Sequence, residues 1–419
     1  MLLIKNGYIV DPVTNTEGYY DILIDHDEIK QVDQDIKIDH VDVINAKDCI
    51  VAPGLVDAHV HFRDPGFTYK EDIITGAAAA KKGGFTTVIC MANTNPPVDN
   101  IDTLTANIQK GETTKIHVLQ CATVTKGMKG QELVDMKALK AAGAAGFTDD
   151  GIPILNEKVV YEAFKQAKKL DMPVSLHEED PEYILAPGVN MGKVSQSINY
   201  GGASHKAEDV MVERDCQIAL ETGARVCIQH ISSKESVDIV RRYRHRCDVH
   251  AEATPHHFTL TEDAILKYGT NARMNPPVRT EEDRLAIIEG LKDGTIDMIV
   301  TDHAPHSDEE KAREMSKAPS GITGLETSLA LGIKSLVQPG HISMMKLMAL
   351  MSKNPSEFYH LTPVSIQPGA KADLVIFNPD ETWLVDHFAS KASNSPFIGW
   401  ELPGKIHYTI CNGQIVYKG

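Results

Sequence analysis

Residues 53–66 read Pro53-Gly54-Leu55-Val56-Asp57-Ala58-His59-Val60-His61-Phe62-Arg63-Asp64-Pro65-Gly66, and this run decides the fold. Its part 54–61 is apolar and β-branched, as for a strand covered on both faces, and it ends in polar residues. Side chains at i and i+2 of a strand share a face, so His59 and His61 can present two imidazoles to one metal ion. Seven further runs of this kind lie at 86–91, 116–122, 144–148, 173–177, 225–230, 248–253 and 297–301. Helix-like stretches fall between them at 70–82, stopped by Gly83-Gly84, and at 157–170, 208–222, 234–245 and 281–292. Eight β/α repeats over about 250 residues match the size of a (β/α)8 TIM barrel. An open doubly wound sheet is the alternative. No GxGxxG follows an early strand, which disfavours a dinucleotide fold.

Outside these repeats both chain ends are β-rich. Short runs at 2–9, 21–24 and 41–45 precede Pro53, and runs at 372–378, 382–385 and 406–417 close the chain. The expected organisation is a catalytic barrel over 53–365 and a composite β-sandwich domain built from 1–52 and 366–419. Two loops are long for a barrel, 178–206 after strand five and 304–325 after strand eight. Loops at that end of a barrel form the catalytic face, and the second is a candidate lid.

Composition narrows the partners. Apolar residues make up 42% and charged residues 24% of the 419, enough for a large core and too apolar for disorder. Lys and Arg number 42 against 58 Asp and Glu, a net charge of −16, which argues against nucleic acid or an anionic membrane surface as partner. A small anion bound by one local Arg stays allowed. No apolar run approaches the roughly 20 residues of a membrane span, and the first residues lack a signal-peptide core. Seven scattered Cys with no CxxC read as reduced thiols in a cytoplasmic protein.

The strands end in chemistry-bearing residues: Thr148-Asp149-Asp150 on the fourth, His177-Glu178-Glu179-Asp180 on the fifth, His230 on the sixth, and Asp302-His303-Ala304-Pro305-His306 on the eighth. In a barrel these open onto one mouth. Four His and two carboxylates desolvated together call for compensating cations. Two divalent ions would supply that. The imidazole/carboxylate set suits Zn²⁺, with Mn²⁺ or Co²⁺ as substitutes. A bridging water would become a hydroxide nucleophile, with Asp302 as the base that returns its proton to a leaving nitrogen. No GxSxG is present and no Cys adjoins the set.

The 53–66 run resembles the first signature of the dihydroorotases, and Thr301-Asp302-His303-Ala304-Pro305-His306, followed by Lys311, resembles their second. Met91-Ala92-Asn93-Thr94-Asn95-Pro96-Pro97 and Phe147-Thr148-Asp149-Asp150-Gly151 match as well. The resemblance is to the type I enzymes of the amidohydrolase superfamily and covers essentially the whole chain. It implies that His59, His61 and Asp302 hold one metal, that His177 and His230 hold a second, and that Asp150 bridges them. It makes Asp302 the general acid/base. It assigns Arg63, Asn93 and His306 to a substrate carboxylate and Asn275, Ser320 and Gly321 to the substrate ring, with His61 also at the substrate. Ser320 departs from the Phe expected before Gly321.

The reaction so implied is the reversible, zinc-dependent cyclisation of N-carbamoyl-L-aspartate to L-dihydroorotate. A homodimer is implied too, and association with an aspartate transcarbamoylase is left open. Hydantoinases and dihydropyrimidinases carry a metal-bridging Lys on strand four where this chain has Asp150, and their substrates would give Arg63 no carboxylate. A non-catalytic scaffold subunit would have lost metal ligands that this chain keeps.

Overall fold

The computed structural model describes all 419 residues. A closed barrel of parallel strands lies at its centre. Leu55–Val60, Phe85–Cys90 and His117–Gln120 form one arc, and Val174–Leu176, Val226–Ile228, Val249–Ala253 and Met298–Ile299 form the other. Phe147 alone joins the arcs in the fourth position, bridging Ala122 on one side and Val174 on the other. Pro173 faces it and has no N–H to donate, so no longer ladder forms there. The far seam closes where Val60 bridges His303 and His61 N donates to His303 O at 2.8 Å. All eight runs read as strands therefore lie in the barrel wall.

Helices Ile73–Lys82, Ile101–Glu112, Glu157–Leu170, Lys206–Thr222, Lys234–Tyr243 and Glu281–Asp293 clothe the outside. The first starts three residues later than its sequence pattern indicates. Asp72 caps it, with Oδ1 accepting from Ile74 N and Thr75 N, both at 2.9 Å. Lys70 therefore lies outside the helix and turns toward the barrel mouth. Helix Ile101–Glu112 escapes the apolar pattern because only Leu104, Asn107 and Gly111 of it are buried. Its start signal is the Asn100 cap, whose Oδ1 accepts from Thr103 N at 3.0 Å.

One apolar core fills the space between strands and helices, and Phe85, Phe147, Phe164 and Phe258 belong to it. A second plugs the barrel interior with Val56, Ala58, Ile89, Met91, Cys121, Cys227, Met298 and Val300, sealed by Phe358 and Tyr359. Val56 and Ala58 point inward below the mouth, an irregularity in the pairing between Asp57 and Val60 breaks the strict alternation there, and His59 and His61 stand above them with Val60 in the outer core. The interior is packed, so chemistry is confined to the C-terminal rim.

The chain ends build one branched sheet. Its order is Gln414–Lys418, Lys405–Cys411, Leu374–Asn378, Ile50–Pro53, Leu2–Asp11, Thr16–Asp25 and Glu28–Asp33, with Asp42–Asn45 also on Leu2–Asp11. Leu2–Asp11 pairs with Asp42–Asn45 through its first half and with Ile50–Pro53 through its second. The sheet closes over Ile4, Ile9, Ile22, Ile24, Ile44, Val51, Leu374, Ile376 and Ile410. Glu28–Asp33 and Ile50–Pro53 are strands that the sequence pattern does not mark. Strand Trp383–Leu384 pairs instead with Glu401–Leu402, and Val385, Phe397 and Leu402 pack with Val189, Met274 and Ile322 of the barrel loops. This segment braces the catalytic face. Asn394 Nδ2 donates to Ala304 O at 3.1 Å and Gly321 O at 3.0 Å. Sheet and barrel floor join where Asp373 takes His117 Nε2 at 2.9 Å and Asn412 N at 2.6 Å. No helix is long and apolar enough to cross a membrane.

At the floor, His250 lies between Asp297 Oδ2 at 2.6 Å and Asp248 Oδ1 at 3.1 Å, tying the starts of strands seven and eight. Burial pulls its pKa down, but the two carboxylates prevail and raise it from the usual 6.5 to about 9. A histidine raised this way stabilises fully below its unfolded pKa, and the contribution is lost as pH rises through the folded value. With 27% of the side chain exposed, the shift is worth about 2 kcal/mol after screening. His250→Asn is therefore expected to lose about 2 kcal/mol in urea unfolding at pH 6 and far less at pH 10. An equal loss at both would contradict the ion-pair account.

Candidate metal centre

Six side chains from strand ends one, four, five, six and eight meet at the mouth. His59 and His61 point to the same side, as the i, i+2 spacing requires. His61 Nε2 lies 3.0 Å from Asp302 Oδ1, and His59 Nε2 lies 3.6 Å from it. Asp150 stands between the two halves of the cluster. Its Oδ2 is 3.4 Å from His61 Nε2, and its Oδ1 is 3.4 Å from His59 Nε2, 3.7 Å from His230 Nε2 and 3.9 Å from His177 Nδ1. Of the adjacent pair, Asp149 faces away, accepting from Val124 N at 2.7 Å and Thr125 N at 3.1 Å. The sequence pattern alone cannot separate the two; the backbone donors do.

Three of the four imidazoles have one nitrogen fixed and the other aimed inward, while His230 Nδ1 is buried without a partner. His59 Nδ1 donates to Glu252 Oε1 at 2.6 Å, His61 Nδ1 to Asn93 Oδ1 at 2.9 Å, and His177 Nε2 to Glu179 Oε2 at 3.0 Å. Such partners set tautomer and ring orientation in metal sites. His59 Nε2 is buried with no hydrogen-bond partner, and His177 Nδ1 meets His230 Nε2 at 3.0 Å. Converging nitrogen lone pairs beside two carboxylates fit divalent cations. His59, His61 and Asp302 form one group of donors, and His59, Asp150 and His230 another.

Burial raises the cost of every charge here, but the surrounding imidazoles hold the Asp150 and Asp302 carboxyls below the usual range. Burial likewise disfavours charged His59, and Asp150 and Glu252 outweigh it to raise that pKa.

Buried braces hold the geometry. Asp57 Oδ1 accepts from His59 N and Thr301 N, both at 3.1 Å, and Thr301 Oγ1 donates to Oδ2 at 2.5 Å. This one carboxylate locks the first metal-side strand to the last. Glu252 Oε1 also accepts from His230 N at 3.2 Å. His230 and Asp302 have φ of +32° and +47°, a costly backbone for residues with a Cβ. Sequence reading missed Asp57 and Glu252 as braces. The available signal was a carboxylate placed among apolar residues of a strand run, Asp57 in the first and Glu252 in the seventh.

The same cleft, about 290 Å³, is lined by Arg63, Asn93, Arg273, Asn275, His306, Ser320 and Gly321 beside the cluster. Asn93 is engaged on the metal side as well, since its Nδ2 donates to Asp150 Oδ2 at 3.2 Å. Lys70 Nζ donates to His306 Nδ1 at 3.1 Å, which leaves the proton of His306 on Nε2, facing Ser320 O at 2.8 Å. Burial, then Arg63 and Lys70, push the His306 pKa far down, so the ring is neutral. Arg63 Nη2 approaches the same ring at 3.3 Å. Lys70 and Arg273 are site residues that the sequence reading did not name; Lys70 lies in what reads as helix.

Comparison with known proteins agrees with this geometry. Residues 48–236 match the family profile described as Dihydro-orotase-like. A protein of Clostridioides difficile (strain 630) named dihydroorotase is 58% identical over 420 residues, covering 100% of both chains. One of Clostridium acetobutylicum with the same name is 54% identical over 422 residues, again covering 100% of both. Among solved structures, an L-hydantoinase (dihydropyrimidinase) from Arthrobacter aurescens superposes with a TM-score of 0.89 at 24% identity, over 100% of this chain and 96% of that one. That likeness carries the barrel-plus-sandwich fold.

Replacing Glu252 by Gln keeps the shape but removes the charge behind His59. The expected result is a 10- to 100-fold, roughly, weaker affinity for Zn²⁺ in competition with a chromophoric chelator. An unchanged affinity would remove Glu252 from the metal centre.

Proposed function

The chain belongs to the dihydroorotase family, and from that premise we propose how its cleft interconverts N-carbamoyl-L-aspartate and L-dihydroorotate in pyrimidine biosynthesis. It is a cyclic amide hydrolase of the amidohydrolase type, a metal-dependent superfamily. We assign His59, His61 and Asp302 to one Zn²⁺, His177 and His230 to a second, and Asp150 to both. Ions held there supply an acidified water and polarise the carbonyl under attack. Asp302 is the general acid/base. Its carboxylate is held ionised by His61 and His59 and opens on the cleft, so it can take the proton of the attacking water. As the ring C–N bond breaks, Asp302 hands that proton to the departing nitrogen. In cyclisation it takes the proton from the ureido nitrogen as that atom closes on the side-chain carboxyl, and delivers it to the carboxyl oxygen whose C–O bond breaks, which leaves at the level of water.

The observation that carries this reading is that metal donors and Arg63 line one small cleft. A substrate with its amide at the metals and an anionic group on its ring has a cation waiting. Arg63, with Lys70 behind His306, neutralises the carboxylate, which lets a chain of net charge −16 bind an anion. Asn93 and His306 border that group, and Asn275, Ser320 and Gly321 border the ring. The division behind this reading is a barrel of 53–365 and a sheet domain of 1–52 and 366–419, with 383–402 folded back over the mouth. A cytoplasmic homodimer, with room for an aspartate transcarbamoylase partner, belongs to the same reading.

The test is ultraviolet detection of dihydroorotate loss at alkaline pH on zinc-loaded and chelated protein, with hydantoin and dihydrouracil as controls. Zinc-dependent loss of dihydroorotate alone is expected. Arg63→Met should raise KM for it by 10-fold or more, roughly, and Asp302→Asn should lower kcat by about 10²–10⁴. Turnover of the controls alone, indifferent to Arg63→Met, would move the chain to a neighbouring cyclic amidase.

A further inference from the structure

Arg273, Ser320 and Asn275 form a hydrogen-bonded chain in the cleft wall. Arg273 Nη1 donates to Ser320 Oγ at 2.6 Å, and Ser320 Oγ donates to Asn275 Oδ1 at 2.9 Å. Arg273 and Asn275 come from the loop after strand seven and Ser320 from the loop after strand eight, so the chain also ties two loops together. Its direction follows from donor chemistry. A guanidinium has only donors, and a serine hydroxyl has one proton. With Arg273 donating to Oγ, the protein acceptor in reach of that proton is Asn275 Oδ1. Asn275 Nδ2 is thereby turned away from Ser320, and no protein group accepts from it.

The relay is braced from the protein side. Arg273 is 5% exposed. Gly188, at φ +85°, lies so close that an added Cβ would come within 2.6 Å of Arg273 Cγ and 2.9 Å of Ser320 Oγ. Gly321 N donates to Arg273 O at 3.0 Å, and His306 Nε2 to Ser320 O at 2.8 Å. Gly188 thus closes off one side of both the guanidinium stem and the hydroxyl.

We propose that Ser320, braced by Arg273, is a positioning residue that fixes Asn275 as a hydrogen-bond donor to a substrate carbonyl. This rests on the dihydroorotase reading above. The dihydroorotate ring carries two carbonyls, and one is under attack at the metal centre. The ureide carbonyl, between the two ring nitrogens, is left to accept from Asn275 Nδ2. A freely flipping Asn275 would present its oxygen to that carbonyl part of the time and repel it. The site therefore prefers an oxygen there over a weak acceptor such as sulfur.

Steady-state kinetics on zinc-loaded protein test this, with dihydroorotate and its analogue bearing sulfur at the ureide carbonyl. Ser320→Ala is expected to raise KM for dihydroorotate by about 10-fold with a much smaller change in kcat. It should also narrow the preference for oxygen over sulfur. Ser320→Thr, which keeps the hydroxyl, should recover most of the loss. In an Asn275→Ala background Ser320→Ala should cost nothing further. Arg273→Met, which frees the hydroxyl, should repeat the pattern more weakly and serves as the second variant if Ser320→Ala folds poorly. An unchanged KM in both, or a Ser320→Ala cost that persists without Asn275, overturns the proposal while leaving the reaction in place. A wild-type chain that does not turn over dihydroorotate overturns the functional reading and this inference with it.

Discussion

Two carboxylates and four imidazoles are withdrawn from water at one end of the barrel, and their mutual compensation is the constraint on which the rest depends. Asp302 and Asp150 are almost fully buried, and so are His59, His61, His177 and His230. Such a cluster is unfavourable unless every lone pair and charge finds a partner. The protein satisfies the outer nitrogens of three imidazoles with Glu252, Asn93 and Glu179. The inner atoms face one another at distances that bound cations would use. Residues around the mouth are arranged to keep that inward aim.

The barrel supplies the aim through its seams. Asp57 holds strand one to strand eight, and Glu252 holds the His59 ring and the His230 backbone from strand seven. The packed interior below leaves the donors nowhere to retract. Loops then add Arg63, Asn93, Arg273, Asn275, His306 and Ser320 to the lining of the cleft. The 383–402 segment, although it belongs to the end of the chain, pins the loop after strand eight through Asn394. The cluster at the strand ends and the residues of several loops thus line one cleft over a rigid rim.

The eight strands were legible because buried parallel strands are written as short continuous apolar runs, and that pattern survives without knowledge of pairing. The convergence of His59, His61, Asp150, His177, His230 and Asp302 was legible because polar residues end those runs, where a barrel opens its catalytic face. Other features depend on partners distant in sequence. Asp72 wins the helix start from Lys70 through backbone donors, a competition that periodicity does not register. Trp383–Leu384 reads as one more terminal strand, but its partner Glu401–Leu402 and its apolar contacts lie over the barrel. Glu28–Asp33 is too polar to stand out, with only Ile29 of it buried. Arg273 looks like a solvated surface residue until Ser320 and Gly188 are brought against it by folding.

The central claim is that the strand ends form a site for two divalent ions. Its most direct test is the stoichiometry of Zn²⁺ binding to metal-stripped protein, by calorimetric titration with the bound metal counted by mass spectrometry. The account predicts two ions per chain in wild type and fewer in Asp150→Ala, because both halves of the site lose their shared oxygen ligand. A chain that binds no zinc, or one whose zinc content is indifferent to Asp150, would contradict it.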